Sequence, residues 1–229
     1  MSQLILIRHG QSLWNKQRIY TGWTDVNLTP KGMEEARVIA RRLKEETCFG
    51  KAFTSLLKRT IRTLEIVLKE YGSPDMDIVH AWQLNEKHWG ALQKVEMDKI
   101  ERKYGTEQLT HWRNNFYDKP PKLETTDPRS AVLDSWYKQI PHIPNGESLN
   151  DLSLRVIPYL KSEIMPLIAK GENVLVISHR HVLRVIMRYL KNSSVDNMEK
   201  IDIEEGRGRI FTFNEIVEIV DEMEIKQTA

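Results

Sequence analysis

Four consecutive large aliphatic residues near the amino terminus, Leu4-Ile5-Leu6-Ile7, run directly into Arg8, His9 and Gly10. A short unbroken apolar run bounded by polar residues predicts a strand buried on both faces, the environment found inside a parallel sheet. Arg8 and His9 then sit at a strand's carboxyl end, the edge of an open α/β sheet where ligands bind. Gly10 lets the backbone turn away tightly enough to leave the His9 ring facing a crevice. A second aliphatic run, Asn173-Val174-Leu175-Val176-Ile177-Ser178, ends in His179. In a parallel sheet the two imidazoles share one edge.

The intervening sequence supplies crossovers for such a sheet. Thr29 caps and Pro30 opens a helix whose Ala36, Ile39, Ala40 and Leu43 recur with helical spacing to about Glu46. Lys51-Ala52-Phe53-Thr54 is a short strand, Ser55 caps a helix that runs to about Tyr71, and Ile78-Val79 forms a brief strand. Strand and helix in alternation predict an α/β fold, a mostly parallel central sheet flanked by helices on both faces, within one domain over 1–229. From 97 to 144 the pattern loosens, and Trp112, Phe116, Trp136 and Tyr137 stand among prolines. The aromatics favour an ordered lid over a disordered insertion. Ser148 opens a helix in which Pro158 predicts a kink, a further helix spans Val182 to Leu190, and Arg209-Ile210-Phe211-Thr212-Phe213 reads as the last strand. The tail, 214–229, alternates apolar and acidic residues and is compatible with a strand, a helix or a mobile end.

Composition narrows the partners. The 229 residues are 40% hydrophobic and 29% charged, with a net charge of only +2, which excludes a polyanion-coating or membrane-surface protein and requires any basic pocket to be local. The expected partner is a small phosphorylated molecule, with no nucleic acid and no membrane. A homo-oligomer is compatible with the sequence. There is no apolar run of about 18 residues and no signal peptide. One cysteine, Cys48, allows no intramolecular disulfide, so a reducing, cytoplasmic location is expected, with a packing role for the thiol.

Arg59 falls near the first turn of the helix after Ser55, where its guanidinium and free helix amides can converge on an anion. With Arg8, His9 and His179 it makes a candidate phosphate cage. Neutral imidazole is nucleophilic near pH 7 without an auxiliary base, provided its other ring nitrogen donates, for instance to a backbone carbonyl. The equatorial oxygens of a phosphoryl group would be neutralised by Arg8, Arg59 and a protonated His179, with no metal. His179 and His181 lack the cysteines or carboxylates that complete a metal set, so no metal is expected.

Arg8-His9-Gly10 after an aliphatic strand resembles the signature of the histidine phosphatase superfamily. Gln11-Ser12-Leu13-Trp14-Asn15, followed by Tyr20-Thr21-Gly22-Trp23-Thr24-Asp25, is similar to its cofactor-dependent phosphoglycerate mutase branch. The resemblance continues through Thr54 to Thr63, Glu86, Glu147-Ser148-Leu149 and Val174 to Leu190. It implies a phosphoglycerate mutase-like fold with His9 as phosphorylated nucleophile and Glu86 as general acid/base, in a setting that raises its pKa. Arg8, Asn15, Thr21, Gly22, Arg59, Arg113 and His179 would bind phosphate or substrate, Trp89 would contact substrate, and His88 would support the site. The implied reaction interconverts 3-phosphoglycerate and 2-phosphoglycerate in glycolysis and gluconeogenesis, with 2,3-bisphosphoglycerate as phosphoryl donor. A phosphatase of another small phosphorylated metabolite is the alternative, and a non-catalytic phosphate sensor a third reading. Departures cluster around the substrate: Met97 replaces a usual lysine, Asn114 an arginine, Trp89 a tyrosine and Glu205 a threonine, and His179-Arg180-His181 replaces His-Gly-Asn. Arg180 and His181 are expected to enter from the strand-end loop and to restore positive contacts.

Overall fold

Alternation within the two aliphatic strands divides the core into two layers. Strand β1 (Ser2–Arg8) sends Leu4 and Leu6 to one face and Ile5 and Ile7 to the other, all fully buried. After a single-turn α1 (Leu13–Lys16) come α2 (Pro30–Glu46), β2 (Lys51–Thr54), α3 (Lys58–Tyr71) and β3 (Asp77–His80). Helices α4 (Met97–Tyr104), α5 (Thr106–Asn114), α6 (Leu149–Tyr159) and α7 (Met165–Ala169) precede β4 (Val174–Ser178), α8 (Arg180–Leu190), β5 (Gly208–Phe213) and β6 (Ile219–Ile225). The computed structural model describes residues 1–130, 137 and 140–226. Trp136, one of the aromatics expected in an ordered lid, and the last three residues of the tail lie outside them.

The strands form one six-stranded sheet in the order β3-β2-β4-β1-β5-β6. β3, β2, β4 and β1 pair in parallel, and β5 and β6 add an antiparallel edge. On one face Leu4, Leu6, Val174 and Val176 pack with Leu152 and Val156 of α6 and Val182 and Val185 of α8. On the other, Ile5, Ile7, Leu175 and Ile177 meet Ile39 and Leu43 of α2 and Leu64 and Val67 of α3. A parallel sheet covered on both faces is what continuous aliphatic strands require.

Local chemistry accounts for most boundaries. Thr29 accepts from Gly32 N at the start of α2 with Pro30 in the first position, and Ser148 and Asp151 form a capping box on α6. Ser55 does not cap α3. The helix starts at Lys58 after Leu57, and the Ser55 hydroxyl turns inward to accept from Leu57 N. Pro158 lies inside α6, and the chain continues as a π-helical turn at Leu160–Ile164 before α7. A wider turn is one way a helix accommodates a residue with no amide hydrogen. The tail forms edge strand β6. Cys48 is exposed at the α2–β2 connection, contrary to the packing role expected of it, because that connection runs over the surface where backbone polar groups remain solvated.

The segment after β1 makes a close backbone-to-backbone approach to α2. A Cβ on Gly10 would lie 2.2 Å from the Gly32 carbonyl oxygen in the first turn of α2. Gly10→Ala must separate the two segments, and overpacking of this kind costs about 1–3 kcal/mol. A lowering of Tm by about 3–10 °C is expected in differential scanning calorimetry. Gly50→Ala, where a Cβ meets nothing within 4 Å, is the control and should leave Tm unchanged.

Candidate active site

The parallel register sets the two histidines side by side. Arg8 pairs with Ser178, so each strand's next residue is His9 or His179, and His9 N donates to Ser178 O at 3.1 Å. Both imidazoles are buried, with ring centroids 5.1 Å apart and planes at 68°. His9 Nδ1 lies 2.7 Å from Gly10 O. Because a carbonyl can only accept, the hydrogen is on Nδ1 and the Nε2 lone pair is free. Burial, followed by the charges of Arg59 and Arg8, lowers the His9 pKa to about 3. At neutral pH the ring is therefore uncharged, with its lone pair on Nε2.

Two guanidinium groups flank it. Arg59, in the first turn of α3, donates to Thr24 O (3.0 Å) and Gly22 O (2.8 Å). Burial lowers its pKa to about 10, which leaves it cationic at pH 7. Gly22 has a φ of +52°, and a Cβ there would lie 2.0 Å from Gln93 Oε1, so glycine is required for the carbonyl to reach Arg59. Arg8 donates through Nη1 to Ile203 O (3.0 Å) and through Nη2 to Glu205 Oε1 (3.1 Å). Its buried Nε has no partner among the described residues.

These groups open on a cavity of about 280 Å³ lined by Arg8, His9, Asn15, Thr21, Gly22, Arg59, Glu86, Trp89, Arg113, Arg180 and His181, together with Met97 and Glu205. The structure thus brings the predicted site residues to one cavity except His179, whose ring lies against His9, and Asn114. Asn114 does not line the cavity; its Oδ1 accepts from Arg184 Nη2 at 3.0 Å. Arg113 reaches in from α5, with Nη2 3.3 Å from Met97 Sδ and its guanidinium over the Tyr20 ring.

Glu86 departs from expectation. Burial alone would raise its pKa, but His181, the Lys87 amide donating to Oε1 at 2.8 Å and the Arg59 charge outweigh burial and hold it well below the usual carboxylate range. Burial keeps His181 itself neutral, so its Nδ1, 3.3 Å from Glu86 Oε1, contributes a dipole rather than a full charge. His179 is also neutral rather than protonated: burial and then Arg59 push its pKa well below the ordinary value. Arg180 and His181 belong to the first turn of α8, not to a strand-end loop. There Arg180 makes a bidentate pair with Asp202 at 2.7 and 2.6 Å, so its charge is already matched before any ligand arrives.

Several contributors were given no individual role in the site by the sequence. Arg18, Ile19 and Tyr20 line the cavity, and Tyr20 stacks edge-on against Trp89 at 4.8 Å. Arg155 donates to Gln83 O and Asn85 O (both 2.8 Å) and Glu86 O (2.9 Å) while paired with buried Glu147, which also accepts from His88 N. Trp23 Nε1 adds a second donor to Glu86 O at 2.6 Å. The backbone carrying Glu86 is thereby clamped. Lys87 is buried over the Trp89 ring and donates to Trp112 O, which ties α5 to the same segment. A charged residue between Leu152 and Val156 on an apolar helix face was the signal for Arg155.

Among the described residues no three His, Cys, Asp or Glu side chains converge as metal ligands, and no helix is long and apolar enough to cross a membrane.

A doubly covered, mostly parallel sheet with two histidines at one strand edge between buried arginines defines a class of phosphate-site α/β proteins. The family model of the histidine phosphatase superfamily (branch 1) matches residues 4–131 and 129–224, and the chain belongs to that superfamily. It is 38% identical over 225 residues to a 2,3-bisphosphoglycerate-dependent phosphoglycerate mutase of Parabacteroides distasonis, covering 97% of this chain and 91% of that one. Among solved structures, Bacillus stearothermophilus YhfR has a TM-score of 0.72 at 24% identity, with 96% and 94% of the two chains covered. The α-ribazole phosphatase of Shigella flexneri has a TM-score of 0.71 at 21% identity, with 99% and 96% covered. These two likenesses show the fold.

Burial of neutral histidines makes the fold acid-sensitive. His88, buried, accepts from Gly90 N through Nδ1, and burial lowers its pKa to about 3. A histidine depressed below its ordinary 6.5 contributes stability that is complete above that value and is lost as pH falls toward 3. Between about pH 7.5 and pH 5 each such ring accounts for about 2 kcal/mol. Urea unfolding should show this decline, and His88→Gln should flatten it by one ring's share. An unchanged slope in that variant would assign the acid sensitivity elsewhere.

Proposed function

We propose that this crevice transfers phosphoryl groups through His9 Nε2 and that the protein is a 2,3-bisphosphoglycerate-dependent phosphoglycerate mutase, interconverting 3-phosphoglycerate and 2-phosphoglycerate. The observation that carries this reading is the state of His9: buried, uncharged, held through Nδ1 on Gly10 O, with Nε2 free between Arg8 and Arg59. The similarity to the Parabacteroides distasonis mutase over nearly the whole chain supports the choice of substrate.

The residues fit a phosphorylated donor. The buried Arg8 Nε, without a partner among the described residues, is a cation-borne N–H short of an acceptor, as a phosphate oxygen would provide. 2,3-Bisphosphoglycerate supplies the phosphoryl group that primes His9. Arg8 and Arg59 neutralise the equatorial oxygens in the transition state, and their existing bonds to Ile203 O, Thr24 O and Gly22 O hold them in place beforehand. Glu86, held ionised, is poised as the base that takes the proton of the substrate hydroxyl attacking phospho-His9, and it returns the proton on the reverse transfer. Arg113 faces the remainder of the substrate from α5. We assign the segment beginning at Met97 to a lid: Met97 and Arg113 line the cavity, and Trp112, Ile100 and Leu109 pack with Tyr20 and Trp89 beside it. Excluding water there favours return of the phosphoryl group to phosphoglycerate over hydrolysis.

Purified protein given 3-phosphoglycerate and a trace of 2,3-bisphosphoglycerate should form 2-phosphoglycerate, read by coupling to enolase. Glu86→Gln should lower kcat by about two to four powers of ten while phosphate ligands still bind. Steady release of inorganic phosphate without 2-phosphoglycerate would overturn the mutase reading in favour of a phosphatase.

A further inference from the structure

Two buried hydroxyls form a relay that ends on His179. Thr60 Oγ1 donates to Leu57 O (2.9 Å), which commits its single proton, so it meets Ser55 Oγ at 2.6 Å as an acceptor. The Ser55 proton is thereby directed to Thr60. Ser55 Oγ, which also accepts from Leu57 N (3.1 Å), can then meet His179 Nε2 at 2.8 Å only as an acceptor. The hydrogen of neutral His179 is therefore on Nε2, and Nδ1 is a bare lone pair. That Nδ1 is buried and without a partner among the described residues, in a ring 5.1 Å from His9. A phosphoryl oxygen beside His9 needs donors, and a lone pair repels it.

We propose that Ser55 and Thr60 are positioning residues that fix His179 as its Nε2–H tautomer, so that an oxyanion enters the crevice together with one proton, which His179 Nδ1 takes from solvent and donates to the oxyanion. The strongest electrostatic influences on His179 come from Arg59 of α3, His9 and Arg8 at the end of β1, and Arg155 of α6. The three arginines among them oppose a charged imidazole until an anion arrives. His9 is not the proton's destination, because Nδ1 already donates to Gly10 O and Nε2 must keep its lone pair for attack. The free crevice thus holds two permanent guanidinium charges beside the histidines rather than three cations, and its third charge is formed only by the ligand it serves. This inference rests on the phosphoryl-binding reading of the site.

Sulfate is the probe, because it stays a dianion throughout the neutral range and any proton taken up belongs to the protein. Titration calorimetry in buffers of different ionisation enthalpy should show uptake of about one proton per sulfate, with Kd rising about tenfold per pH unit. Thr60→Val removes the acceptor of the Ser55 proton, which frees Ser55 to donate to Nε2 and moves the His179 hydrogen to Nδ1. In that variant the proton count should fall toward zero and the pH dependence should flatten, whereas a merely structural role would weaken sulfate at every pH and leave the count unchanged. Nitrogen-15 NMR of the unaltered chain keeps the test decisive if the variant does not fold: His179 should carry its hydrogen on Nε2. A hydrogen on Nδ1 in the free protein, or saturable sulfate binding with no proton uptake, overturns the proposal while leaving the phosphoryl site standing. Absence of saturable sulfate binding that competes with phosphoglycerate overturns the underlying reading as well.

Discussion

The hydrogen bond from His9 Nδ1 to the Gly10 carbonyl is the contact on which the chemistry of the crevice depends. At 2.7 Å it selects the tautomer, orients the ring and leaves Nε2 as the only ring atom able to attack. The bond joins the ring to the carbonyl of the next residue, directly after β1. There the Gly10 backbone sits against Gly32 in α2, with no room for a side chain between them. Sheet register then brings His179 alongside, since Arg8 pairs with Ser178. One strand end, one glycine and one parallel pairing thus set two buried histidines side by side at the ends of two aliphatic runs.

Electrostatics explains why the site is ready before a ligand binds. Arg59 is held by carbonyl dipoles rather than by a carboxylate, so its charge stays available to an anion. Arg8 and Arg180 are treated differently: Glu205 and Asp202, both from the segment before β5, supply their counter-charges. Glu205 also lines the cavity, so a phosphorylated ligand reaching Arg8 competes with a resident carboxylate. Deeper in, the buried Arg155–Glu147 pair clamps the backbone from Gln83 to Glu86, a use of burial that fixes geometry more than it adds stability.

The parts of this arrangement legible in the sequence were those written as local patterns. Four aliphatics followed by Arg8-His9 specify a buried strand end, and a second such run specifies its neighbour, so the paired histidines and the parallel sheet follow from periodicity. Arg59 was legible because it lies near a helix start, although that start is Lys58 and not a Ser55 cap. Glu86 was not, since no pattern marks its segment; only the resemblance to a family located it. Its low pKa is set by the Lys87 amide, His181 and Arg59, which meet only after folding. Arg180 misled for a related reason: adjacency to His179 suggests a free cation in a loop, but α8 begins at that residue and its guanidinium turns to Asp202. Ser55 likewise reads as a helix cap, yet its hydroxyl faces His179 across 124 residues of sequence.

The claim at the centre of this account is that His9 carries the phosphoryl group between substrate molecules. Rapid quench of the protein with labelled 2,3-bisphosphoglycerate, followed by proteolysis and phosphorus NMR of the labelled peptide, measures that directly. The account predicts about one acid-labile, alkali-stable phosphate per chain, on Nε2 of His9, formed and discharged at least as fast as turnover. Label on another residue, label that persists in His9→Ala, or turnover with no phosphoenzyme at any time would contradict it.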